Sequence, residues 1–359
     1  MNPEQKFENI LKTRVFKDKI SDVILFGAGV NGLLLSEIFE RKLFRISYFC
    51  DNDPKKWNHW FNGIRCISPK DLEKFNPGTT AICIASLYWR EIEAQMKNMG
   101  FLTIVNITNF TDEYKNHFDH RLLKTHTGDV EKVRGLLCDN RSKEVFDNIV
   151  KFRYSGFDEL LVRSFDPEQY FPGFFIQHFT PTESFADCGA YDGENIDQFL
   201  IKCDKKFKEI FAFEPDPENF TILQNRFKNF SKIHLLNAGV YREDTILSFE
   251  TGLKTASKIC NINKDGSCIS RITVRSLDSA LKTKPISFIK MDIEGAELDA
   301  LHGSREIILK NKPKLAICVY HKPSDLWQIP LYIHSLNPEY KIFLRHHSFT
   351  LTETVCYAI

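Results

Sequence analysis

Short apolar runs alternate with stretches of helical spacing along most of this chain, and the alternation predicts its elements. Residues 23–26 are a first β-type run, followed by a turn holding Gly27, Gly29 and Gly32 and by helical periodicity over 33–42. Further β-type runs cover 46–50, 81–85 and 103–107, with a helix near 89–99. Strands that alternate with helices imply a parallel sheet with right-handed crossovers, here of four strands. From about 111 to 180 the strands vanish, His, Lys, Asp and Arg become frequent, and 130–153 carries helical periodicity. Too many apolar residues recur there for a free linker, so this segment is expected to pack on the second α/β unit. Alternation resumes near Pro181 with strands at 184–187, 210–214, 233–238, 286–292 and 315–321. Two late segments, 341–345 and 354–359, close the chain as a hairpin-like pair. The fold class expected is α/β, with two doubly wound units joined by a helical segment: 1–110, 111–180 and 181–359.

Composition narrows the class of partner. A net charge of +1 gives no whole-chain field toward nucleic acid or an anionic membrane. No apolar run approaches the ~20 residues that span a bilayer, and residues 1–10 show no secretory pattern. The 10 cysteines form no C-x-x-C pair, which predicts a reduced, cytoplasmic protein without a zinc site. The 31 Phe residues are expected to fill the core. The expected partner is a small-molecule or glycan acceptor, and a homo-oligomer is left open.

Residues 185–193 with 210–215 are the most informative stretch. They read as a buried strand, a glycine-relieved turn, a helix, and a second strand ending in a carboxylate. Gly189 and Gly193 lie four apart without G-x-G-x-x-G, so a nucleoside cofactor lacking a pyrophosphate fits best, and S-adenosylmethionine is the commonest. Ligands of open parallel sheets lie outside the carboxyl ends of the strands. Those ends carry Asp187, Glu214, Ala238-Gly239, Asp292-Ile293-Glu294-Gly295 and His321. Glu214 suits a ribose diol, because a carboxylate offers two acceptor oxygens. Gly189 and Gly193 would let the methionine portion pass, and Asp187 would meet its ammonium directly or through water. Ala238 and Gly239 would border the adenine. Ala190 and Pro215 complete the cofactor-binding set.

Four segments together resemble the FkbM family of S-adenosylmethionine-dependent methyltransferases. They are Asp187-Cys188-Gly189-Ala190-Tyr191-Asp192-Gly193, Phe213-Glu214-Pro215-Asp216, Ile289-Lys290-Met291-Asp292-Ile293-Glu294-Gly295-Ala296-Glu297, and Tyr320-His321-Lys322-Pro323. The likeness covers about 166–359, and Gln169-Tyr170-Phe171 in the lead-in shares it. It implies a class I methyltransferase fold and methyl transfer, usually to a hydroxyl of a sugar or another secondary metabolite. Such transfer needs an acceptor oxygen in line with the sulfonium and usually a base for its proton. His321 is expected to take that proton near neutral pH without a large pKa shift. Asp292 has three open roles: binding the acceptor, orienting His321, or ligating a divalent cation with Glu294. Tyr170 and the Arg345-His346-His347 cluster are expected on the acceptor side, suiting an anionic or hydroxyl-rich acceptor. His302 and His334 read as structural.

Gly27, Gly29 and Gly32 satisfy G-x-G-x-x-G between a strand and a helix, with Asp51 at the end of the next strand. That context suits a nucleotide phosphate at the helix N-terminus and a ribose at Asp51. Asp51-Asn52-Asp53-Pro54-Lys55-Lys56-Trp57 and Ile67-Ser68-Pro69 resemble small Rossmann-like nucleotide-binding domains on sugar-modifying and polysaccharide-biosynthesis enzymes. The resemblance implies a nucleotide or nucleotide-sugar site, against which stands a vestigial docking domain. Two rival functions remain: an NAD(P)-dependent sugar-nucleotide oxidoreductase or epimerase, and a non-catalytic scaffold. A nucleic-acid methyltransferase is disfavoured, because no basic face and no base-flipping Pro-Pro-Tyr loop are legible.

Overall fold

Both predicted runs of alternating strands and helices are present in a computed structural model, which describes residues 8–9, 11–15, 19–41, 44–110, 117, 120–250 and 269–359. The chain divides into two compact units. The first runs to Thr125 and takes in Arg153–Gly156 and Phe349–Leu351; the second holds His126–Phe152, Phe157–Ser348 and Thr352–Ile359. Residues 111–116, where the helical segment was expected to begin, lie outside the described residues.

The first unit contains β1 (Asp22–Phe26), β2 (Tyr48–Cys50), β3 (Trp60–Phe61), β4 (Ile64–Ile67), β5 (Thr80–Ile84) and β6 (Thr103–Asn106). Their order is β3-β4-β2-β1-β5-β6, parallel except for the β3–β4 pair. The sheet therefore has six strands where the sequence pattern suggested four. The missed hairpin turns on Asn62 and Gly63, both at positive φ (47° and 72°), the residue pair that two-residue hairpins favour. Leu25 and Ala81 join Leu35, Ile38 and Phe39 of the helix Val30–Arg41 in one buried cluster, as the helical spacing requires.

The helical periodicity over 130–153 resolves into two helices, Thr127–Leu136 and Asn140–Ser155. Between them Leu137 is extended and forms a bridge with Ile342, and Cys138 N–H donates to the Ile342 carbonyl. Asp139 then accepts from Ser142 N–H and restarts the helix.

In the second unit β7 (Ser184–Cys188), β8 (Glu209–Phe213), β9 (Ile233–Leu236), β13 (Phe288–Met291), β14 (Lys314–Cys318), β15 (Ile342–His346) and β16 (Thr354–Ala358) form one sheet. Its order is β15-β16-β14-β13-β7-β8-β9, with five parallel strands and β16 antiparallel to both neighbours. A second sheet, β10 (Gly239–Val240), β12 (Ile269–Arg275) and β11 (Thr245–Glu250), was not anticipated. The period-two alternation of Arg271–Arg275 is the signal that could have revealed it.

Phe171, Phe175, Phe185, Phe199 and Phe288 are buried together, and Phe185 stacks on Phe288 at 4.5 Å. Part of the Phe excess is thus spent on one face of this sheet. Phe288→Leu should cost about 1–3 kcal/mol, read as a lower urea midpoint at unchanged slope. An unmoved midpoint would show that the ring is not part of a packed core.

The strand order reverses at β7, which has β8 on one side and β13 on the other. In open α/β sheets the crevice beyond the carboxyl ends at such a reversal is where ligands bind.

Candidate functional site

β7 ends at Cys188, and the backbone turns through Gly189 (φ +80°), Tyr191 (φ 49°) and Gly193 (φ +89°) into the helix Glu194–Lys202. The amides of Gly189 and Ala190 both donate to the Phe213 carbonyl at the end of β8. A Cβ on Gly189 would lie 2.0 Å from the Asp292 carbonyl, and one on Gly193 would lie 2.4 Å from Phe227. Both glycines are therefore demanded by the protein's contact with itself. This replaces the expected reason, passage of a ligand, although the turn still borders the crevice.

Glu214 comes directly after β8 and is 6% exposed. One carboxylate oxygen accepts from Tyr191 N–H and the other from Asp216 N–H, each at 2.9 Å. Burial raises its pKa to about 7, against the opposing pull of those two amides. Each oxygen keeps a lone pair, so the group can still receive two hydroxyl donors. Beside it, a Cβ on Gly239 would lie 3.7 Å from Pro215, Ala238 is buried, and Asn237 donates to the Glu214 carbonyl.

Asp187 is placed differently from the expectation. It is fully buried and 3.1 Å from the ammonium of Lys290, itself 1% exposed. The Lys290 ammonium also donates to the Gly189 carbonyl at 2.8 Å. Burial alone would lower the Lys290 pKa, but Asp187 and Asp292 outweigh it and hold the lysine charged. Asp187 thus anchors the turn through Lys290 and is closed to a ligand's ammonium. A lysine inside the apolar run Ile289–Met291 was the legible sign that an internal partner was needed.

Beyond β13 the chain passes Asp292, then Glu294 (φ 57°) and Gly295 (φ +93°), before the helix Glu297–His302. This left-handed turn gathers carboxylates around His321, which lies just past β14. His321 Nδ1 is 2.9 Å from Glu297 Oε1, and Nε2 is 3.5 Å from Glu294 and 3.6 Å from Asp292. Tyr170 donates to Asp292 at 2.7 Å and Tyr320 at 3.2 Å. Tyr320 also reaches Glu353 at 3.4 Å, and Gln169 donates to the same carboxylate.

These neighbours correct the protonation expected of His321. Burial lowers its pKa, but Glu297, Asp292 and Glu294 more than reverse that and raise it to about 10. It is an imidazolium at neutral pH, so it is not a free base there. Burial raises Asp292 as well, yet Lys290 and His321 hold it below the usual carboxylate range. Glu353 is pushed up to about 7 by burial and by the Asp292 charge. A carboxylate with that value is suited to accept a proton at neutral pH. Glu353 lies in the loop before β16, distant in sequence from the other groups, and no motif marks it.

Arg345, His346 and His347 form neither the acceptor-side cluster that was expected nor a solvated basic loop. Arg345 points inward and donates to Asp139 at 2.6 Å and to Ser142 at 2.8 Å. His346 is fully buried against Thr354. His347 lies between the Asp166 carbonyl and the Tyr357 hydroxyl, and burial lowers its pKa to about 4. Their polarity serves the packing of β15. Arg345→Met should lower stability by about 1–3 kcal/mol in thermal unfolding. Unchanged cofactor affinity is expected, and a selective loss of acceptor binding at full stability would contradict the assignment.

In the first unit Gly27 (φ +113°) would place a Cβ 2.6 Å from the Ala85 carbonyl, and Gly32 would place one 1.8 Å from the Gly27 carbonyl. Gly29 faces open space. Asp51 accepts from Ala28 N–H at 2.8 Å and from Asp53 N–H at 2.9 Å. This is the same two-amide clasp that Glu214 makes, with Lys56 added at 2.9 Å. No helix among the described residues is long and apolar enough to cross a membrane.

A model of the methyltransferase FkbM domain matches residues 187–351, spanning the glycine turn, Glu214, Asp292 and His321. This chain carries an FkbM methyltransferase domain. Over its whole length it is similar to the FkbM methyltransferase structure from Methylobacillus flagellatus KT, with 22% identity, a TM-score of 0.77, and coverage of 100% of this chain and 96% of that one. That likeness shows a class I methyltransferase-like fold. Weaker similarity extends to an rRNA methylase from Streptococcus thermophilus (15% identity, TM-score 0.34, 52% of this chain and 90% of that one). UDP-D-quinovosamine 4-dehydrogenase from Vibrio fischeri is similar over 24% of this chain and 78% of its own, at 23% identity and a TM-score of 0.21. No curated protein matches the chain. The FkbM domain makes this protein a methyltransferase.

Proposed function

We propose that the FkbM domain is an S-adenosylmethionine-dependent O-methyltransferase acting on a hydroxyl of a sugar, glycan precursor or related metabolite. The observation that carries this reading is the clasped, buried Glu214 beside the glycine turn, at the same sheet edge as the Asp292–Glu353 carboxylates. When bound, S-adenosylmethionine supplies an electrophilic methyl group on a sulfonium. Glu214 would receive the ribose hydroxyls through its remaining lone pairs. Asp292 is fixed by the Tyr170 and Tyr320 hydroxyls and would hold the acceptor hydroxyl. Glu353 would take its proton, while His321, charged, offsets the surrounding carboxylates. Mass spectrometry of small molecules released from freshly purified protein should show S-adenosylmethionine or its demethylated product. Calorimetry that detects neither ligand binding would end this reading.

The clasp at Asp51, matching that at Glu214, favours a second ligand in the first unit, a nucleotide or nucleotide-sugar. Equilibrium dialysis against NAD(P) and UDP-, GDP- and dTDP-sugars tests it. Retention of one of them, weakened in Asp51→Asn, is expected. Retention of none leaves a docking domain.

A further inference from the structure

We infer that Asp292, Glu297 and His321 form a divalent-cation site at the carboxyl ends of β13 and β14. One ligand atom from each lies within 4.8 Å of the other two. Bonds of about 2.0–2.2 Å around a divalent ion place neighbouring ligand atoms about 3–4 Å apart, so modest side-chain closure suffices. A second observation separates this cluster from a merely acidic surface. His321 Nε2 is buried and has no hydrogen-bond partner, although it faces Asp292 and Glu294. Glu297 Oε2 is likewise buried without a partner, its side chain being 0% exposed. Buried polar atoms are nearly always satisfied, and each exception calls for an explanation. A cation that displaces the imidazolium proton from Nε2 on binding accounts for both at once.

The local backbone supports the arrangement. Ile293 N–H donates to Glu297 Oε1 at 2.8 Å, which fixes that carboxylate beside the imidazole. The left-handed pair Glu294 and Gly295 folds the chain so that Asp292 and Glu297 face the same histidine. One imidazole nitrogen among carboxylates suits Mn²⁺, Zn²⁺ or Co²⁺ better than Ca²⁺, whose sites are built from oxygen alone. A cation here would bind an acceptor oxygen and make its proton easier to remove. Binding of the ion does not depend on the methyl-transfer reading, and it is measured without cofactor or acceptor.

The full-length protein, stripped with EDTA and dialysed, is titrated with MnCl₂ while free Mn²⁺ is followed by electron paramagnetic resonance. ZnCl₂ and CoCl₂ are titrated by calorimetry. One saturable site per chain is expected for at least one of these ions, weakened at least tenfold in His321→Ala and in Glu297→Gln. Circular dichroism confirms that each variant is folded, and Asp292→Asn takes the place of either that is not. Absence of saturable binding, or equal affinity in the folded variants, overturns the site. Ion binding without S-adenosylmethionine binding would sink only the methyl-transfer reading, and the reverse result only the cation site.

Discussion

Replacing Lys290 with Met should destabilise the second unit by about 3–5 kcal/mol, because it leaves the buried Asp187 carboxylate without a countercharge. Neither residue has access to water that could take over, at 1% and 0% side-chain exposure. Lys290 faces Oδ1, and neither Asp187 oxygen has a hydrogen-bond partner among the described residues that could compensate. The Gly189 carbonyl loses its donor in the same change. Urea unfolding of the purified protein measures the effect. The double variant Lys290→Met with Asp187→Leu should recover much of the loss, since removing a buried pair together is often close to neutral. A single-variant loss under about 1 kcal/mol would mean that Asp187 takes up a proton and needs no partner.

Glu214→Ala should weaken S-adenosylmethionine binding by about 10²–10⁴-fold, as two hydrogen bonds to a charged acceptor are worth roughly 1.5–3 kcal/mol each. The pH dependence has a definite sign. The pKa of Glu214 is about 7 in the free protein, and the ionised form is the one that accepts both ribose hydroxyls. Binding below that value must expel a proton. Affinity should therefore be level above pH 8 and fall by about tenfold per unit well below pH 7. Calorimetry at several pH values, in buffers of different ionisation enthalpy, reads both the affinity and the proton release. Glu214→Gln should bind more weakly and lose the pH dependence. Equal affinity at pH 6 and pH 8.5 in the unmodified protein would remove Glu214 from the ribose.

The strand tips were legible because apolar runs end abruptly at polar residues. Glu214 and Asp292 could be placed at one crevice from their spacing and the parallel topology alone. Glu353 could not, since it enters from the loop before β16 and meets Tyr320 only through folding. Arg345 was misread for a related reason. A cationic residue in a short strand looks exposed until Asp139 and Ser142, more than 200 positions away, are seen to receive it. The first-unit hairpin was signalled by Asn62-Gly63, but its strands are too short for periodicity to mark.

By itself the sequence determined the α/β order, the two glycine turns, the carboxylates after the strands, and the resemblance to FkbM methyltransferases. These arise from local periodicity and from residue types whose backbone demands are intrinsic. Tertiary structure alone decided the charge states. His321 is an imidazolium because Glu297, Asp292 and Glu294 converge on it, and Asp187 is committed inward because Lys290 reaches it from the next strand. Burial and the field of neighbouring charges are properties of packing, and packing joins residues that the linear pattern keeps apart.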